Sequence, residues 1–190
     1  MNPSARLQAT LELLSEIDAT PRPADALVSA YFRARRYLGS KDRAAIAERL
    51  YDILRHHARL NWWLDYKTAV KDKGADVPYS SRLRLLAYLV LVEKVPPEEI
   101  KILFSGGKFA PPSLEEDEIK LIRKLVTHTL LHPGMPEEVQ GECPVWAAES
   151  LKRRFGRDFM HEMAALLQPA PLDLRVQRLI GLPQVAPLQE

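Results

Sequence analysis

Apolar residues recur along this chain three and four positions apart, the spacing that lines one face of an α-helix. Leu7, Leu11, Leu14 and Ile17 form the first such stripe, behind Ser4 as N-cap and ahead of Pro21 and Pro23, which stop it. A second helical segment from about residue 24 carries Leu27, Val28, Tyr31 and Phe32. It ends at Gly39, a residue suited to the left-handed position just past a helix. Ser40 caps a third segment, with Ile46, Leu50, Ile53 and Leu54 on one face, continuing past a break near Asn61 through Trp62, Trp63 and Leu64. Ser80 or Ser81 caps a fourth over residues 82–93, apolar nearly all round from Leu85 to Val92. Such a helix belongs at the centre of a bundle.

The second half continues the pattern. Pro96 and Pro97 suit the first turn of a short fifth helix ending near Phe104, because proline is tolerated where the amide has no partner anyway. After a Gly/Pro loop, Ser113 and Glu116 read as a capping box, opening a sixth helix through Ile119, Ile122, Val126 and Leu130 until His132-Pro133-Gly134 breaks it. Pro144 starts a seventh helix through Phe155, with Gly156 as C-cap. Residues 157–168 form the eighth, around Phe159, Met163, Leu166 and Leu167. The period then changes: Leu172-Asp173-Leu174-Arg175-Val176 alternates in twos, the signature of a strand. The expected architecture is therefore all-α, a bundle of about eight helices over residues 1–168, with a short strand-like C-terminal segment. Residues 169–190 read as a linker and the start of a second unit that the chain leaves unfinished.

Composition narrows the class. The chain has 190 residues, 46% of them hydrophobic, enough for one ordinary domain with a core of its own. The apolar run at residues 85–92 falls far short of the roughly 20 residues that a membrane-spanning helix needs, so no membrane partner is expected. Glu12, Glu16 and Asp18 interrupt the place where a secretory signal would be apolar, and the single Cys143 makes no internal disulfide, which together point to the cytoplasm.

Charge adds a direction. The net charge is only +2, but it is unevenly spread. Between Arg33 and Leu60, eight basic residues (Arg33, Arg35, Arg36, Lys41, Arg43, Arg49, Arg55, Arg59) face three acidic ones, Asp42, Glu48 and Asp52. Between Glu93 and Glu118, seven acids face three lysines. Guanidinium groups chelate phosphate oxygens in pairs, and neutralising a phosphate releases condensed counterions, so an arginine-rich patch suits nucleic acid. Arg35, Arg36, Lys41 and Arg43 flank the turn between the second and third helices, where the helix-start amides at Ser40 add anion affinity. The competing reading is a solvated face with local ion pairs. Lys152, Arg153, Arg154 and Arg157 form a smaller cluster that the helix dipole explains as well as a ligand does.

Four sharper-looking features carry no chemistry. His128 and His132 are four apart, but Thr129 stands where a zinc protease has Glu. Ser105-Gly106-Gly107-Lys108 lacks the earlier glycine, the preceding strand and the Ser/Thr of a phosphate loop. The acidic run at residues 115–118 fits a helix first turn. Cys143 has no base nearby in sequence. No catalytic residue, metal or cofactor site is assigned.

The stretch Phe32-Arg33-Ala34-Arg35-Arg36-Tyr37-Leu38-Gly39-Ser40-Lys41-Asp42-Arg43, followed by Glu48-Arg49-Leu50-Tyr51-Asp52-Ile53-Leu54-Arg55 and Leu60-Asn61-Trp62-Trp63-Leu64, resembles the N-terminal, NusB-like helical region of Sun/RsmB-type rRNA cytosine-C5 methyltransferases. Pro144-Val145-Trp146, Phe155-Gly156 and Ala170-Pro171-Leu172-Asp173-Leu174-Arg175-Val176 resemble that family's passage into its methyltransferase part, with Gln177 where Asn is usual. The resemblance implies a NusB-like bundle that helps to hold rRNA for an S-adenosylmethionine-dependent enzyme. It also implies that the cofactor loop and the two catalytic cysteines lie outside this sequence, so this chain alone holds no cofactor and methylates nothing. The RNA-binding residues selected are Arg33, Arg35, Arg36, Lys41, Arg43, Arg55 and Arg59, with Arg175 near the junction. The rival is a protein-interaction or transcription antitermination module, for which a methyltransferase domain or another protein would be the partner.

Overall fold

A computed structural model of the chain describes residues 1–68 and 80–168. Among these residues every regular element is helical: α1 (Pro3–Ala19), α2 (Ala24–Ala34), α3 (Ser40–Arg55), α4 (His57–Thr68), α5 (Ser81–Leu91), α6 (Pro97–Leu103), α7 (Glu116–Leu125), α8 (Glu137–Gln140), α9 (Val145–Phe155), a 3-10 turn (Gly156–Asp158) and α10 (Phe159–Leu166). The all-α expectation stands, but with ten α-helices in place of eight. The strand-like segment is corrected: the described residues contain no strand, and residues 172–176 lie outside them.

The bundle is organised on α5, where Leu85, Leu86, Ala87, Tyr88, Leu89, Val90 and Leu91 are all buried. It packs against α1, α3, α4 and α7. Leu13 and Leu14 from α1, Ile46, Leu50 and Ile53 from α3, and Leu60, Trp63 and Leu64 from α4 complete one continuous core. Each such side chain contributes about 1.5–3 kcal/mol by leaving water. A charge sits inside this core. Arg84 on α5 has no exposed surface, and its guanidinium meets Asp18 at 3.1 and 3.2 Å. A second, smaller cluster of Cys143, Ala147, Ala148, Phe159 and Met163 holds the α9–α10 hairpin together.

Helix ends differ from the sequence pattern in instructive ways. Asn2 rather than Ser4 caps α1, its side-chain oxygen accepting from the Ala5 amide at 2.7 Å. α2 stops at Ala34, five residues before Gly39. The Leu38 amide bonds back to the Arg35 carbonyl and tucks Leu38 into the core. Gly39 is consequently extended (φ −68°) and precedes α3, instead of closing α2 in a left-handed conformation. The capping box is Glu115 with Glu118, not Ser113 with Glu116. α7 ends at Leu125, so His128 and His132 stand on an irregular segment that packs its imidazoles around Trp63.

The break between α3 and α4 falls at His56, not near Asn61. The carboxylate of Glu142 accepts from the amides of Ala58 (2.6 Å) and Arg59 (3.0 Å), satisfying the open start of α4 from outside the helix. Glu142 holds a left-handed backbone conformation (φ 52°) to do so.

Candidate nucleic-acid interface

The sequence assigns eight cations to RNA, and the fold sorts them. Arg33, Arg36 and Lys41 are exposed, and among the described residues none of them makes an ion pair. They bracket the α2–α3 corner, with Arg33 in the last turn of α2, Arg36 on the turn and Lys41 in the first turn of α3. Asp42, the only carboxylate within this corner, is already engaged. The Arg6 guanidinium (2.7 Å) and the chain's amino terminus (3.2 Å) hold its carboxyl below the usual range, against an opposing contribution from desolvation. The corner therefore keeps its positive sign.

The other candidates serve the fold. Arg35 lies over the Tyr31 ring, its guanidinium carbon 3.6 Å from the centroid, and meets the Glu12 carboxylate at 3.3 Å. Glu12 also accepts from the Tyr31 hydroxyl at 2.7 Å. Burial and this bond hold the Tyr31 phenol protonated well above its ordinary range. Arg43 donates to the Leu38 carbonyl at 2.8 Å, tying down the corner it was expected to arm. Arg55 stands 3.7 Å from Asp52. Arg59 is buried, with Nε 2.9 Å from Glu142. Arg175 lies outside the described residues. Arg49, part of the same basic stretch, is held by Glu93 at 2.7 and 3.3 Å. In the smaller cluster, Lys152 bridges Glu137 and Glu138 on α8, whereas Arg154 and Arg157 are exposed.

Beside the corner runs an open groove of about 820 Å³, lined by α1, by Tyr31 and Tyr37, and by Lys108 and Phe109 of the loop after α6. Sequence reading missed this juxtaposition. The loop is closed by bonds from the Gly106 amide to the Pro111 carbonyl and from the Ala110 amide to the Gly107 carbonyl. Tyr37 is 79% exposed and Phe109 63%. Neither ring belongs to a helical stripe of the sequence, so periodicity gives no sign that they share a groove.

Among the described residues no group of three or more His, Cys, Asp or Glu side chains is placed to hold a metal ion. Among the same residues no helix is long and apolar enough to cross a membrane.

Against family models, curated proteins and solved structures, the chain finds no match.

Proposed function

We propose that this helical domain binds RNA through Arg33, Arg36 and Lys41 at the α2–α3 corner. The observation that carries the reading is that these three cations, within nine residues of chain, are solvent-facing and unpaired among the described residues, while their neighbours Arg35 and Arg43 are consumed by the fold. An exposed cation without a carboxylate partner is free to displace counterions from a phosphate. The start of α3 adds amides and a favourable dipole to the same corner. The resemblance stated above supplies the RNA class, ribosomal RNA, and the role, the RNA-holding region of an S-adenosylmethionine-dependent cytosine-C5 methyltransferase.

Charge reversal tests this directly. Arg36→Glu with Lys41→Glu weakens binding to an rRNA fragment at least tenfold at low salt, measured by fluorescence anisotropy, and leaves the circular dichroism spectrum unchanged. Equal affinity of the variant and the parent removes the proposal.

A second reading, docking of a protein partner, is favoured by Val145 and Trp146 at the start of α9. These adjacent apolar side chains are 86% and 87% exposed. A pull-down repeated after nuclease treatment separates the two readings, because a protein contact survives loss of RNA.

A further inference from the structure

We infer that the groove beside the corner receives unpaired bases of a single strand whose phosphates the corner holds. The inference rests on the RNA-binding reading and deepens it, naming the strand form and the residues that stack on it.

A nucleobase needs a flat apolar surface for its face and charge nearby for its backbone. Tyr37 and Phe109 supply the surface. They come from distant parts of the sequence yet line one groove, and both rings remain largely exposed. Large aromatic side chains on a surface cost solvation unless something covers them. Here the covering group is identified by the charges that flank it. Tyr37 directly follows Arg36 on the corner, so a base on its ring leaves the adjoining phosphate within reach of that guanidinium. Lys108 precedes Phe109, with its ammonium 5.3 Å from the ring centroid, and adds a cation to the groove lining. Among the described residues the one carboxylate lining the groove is Glu12, which already meets Arg35 and the Tyr31 hydroxyl. A duplex, whose base faces are stacked internally, offers nothing to these rings.

The closing experiment compares a 12-nucleotide single-stranded RNA, the same length of abasic phosphodiester and a 12-base-pair duplex, each titrated into the full chain and into the variant Tyr37→Ala with Phe109→Ala. Both rings are exposed, so the variant keeps the parent's melting midpoint. Phe109→Trp alone is the second variant and retains binding. The parent prefers the single strand over the abasic chain by about 5- to 150-fold per stacked base, and the double alanine variant loses that preference while still binding the abasic chain as the parent does. Equal affinity of the parent for the based and abasic strands overturns the groove, as does an unchanged preference in the variant; in either case the corner still binds phosphate. Absence of binding to all three probes by the parent overturns both this inference and the RNA-binding reading.

Discussion

Arg36 and Arg59 belong to one basic stretch, and the fold puts them to opposite uses. Arg36 stands exposed on a turn with no partner among the described residues, whereas Arg59 is buried against a carboxylate from another part of the chain. The difference lies in what each position faces. The α2–α3 corner is built by turning Leu38 inward, which leaves the polar residues on either side facing water. The start of α4 abuts the segment before α9, and Glu142 reaches from there to the first amides of the helix and to the guanidinium together. A cation count along the sequence cannot tell a ligand from a structural tie, because the tie is set by a residue 83 positions away.

The comparison breaks most forcefully at Glu142. Glu142→Ala strips three hydrogen bonds at once and strands a buried guanidinium, so it costs about 3 kcal/mol, read as the shift in a urea unfolding curve. Arg59→Ala costs less, about 2 kcal/mol, because Glu142 keeps its two amide donors. A loss from Arg59→Ala as small as that of a surface substitution would place Arg59 with Arg36 after all.

A third region sharpens the contrast by pH. Burial pushes the Glu118 carboxyl up, but the Arg82 guanidinium at 2.6 and 2.9 Å and the Glu115 amide at 2.8 Å more than offset this, leaving it below its ordinary value. A carboxyl with a depressed folded-state pKa stabilises the fold fully above its unfolded value. It loses that contribution as pH falls through the folded one. The chain therefore weakens below about pH 4.5, and Glu118→Gln flattens that part of the stability profile by about 1 kcal/mol. Arg36 is exposed on its turn, so Arg36→Glu changes stability by no more than about 0.5 kcal/mol.

Much of the bundle was legible in the periodicity of the sequence. The all-round apolar stretch after Arg84 correctly marks the central helix, and Pro97 and Pro144 correctly mark helix starts. What escaped depends on contacts between distant residues. The burial of Arg84 rests on Asp18, which only the fold brings beside it. Glu115 displaces Ser113 as cap because Glu118 is held in place by Arg82. The candidate site was half legible: the corner was visible as charge, but its exposed cations were not separable from Arg35, Arg43, Arg55 and Arg59. The groove was invisible, since Tyr37 and Phe109 are far apart in sequence and come to line one groove with α1 only in the fold.

The most direct measurement is the salt dependence of RNA affinity for the parent and for Arg33→Glu, Arg36→Glu and Lys41→Glu combined. If the three corner cations each neutralise one phosphate of a single strand, the slope of log affinity against log salt becomes shallower by about 2 in the variant. The same measurement on Arg35→Gln leaves the slope as it was. An unchanged slope in the triple variant, or an equal change in Arg35→Gln, would contradict the division between cations that face a ligand and cations that hold the fold.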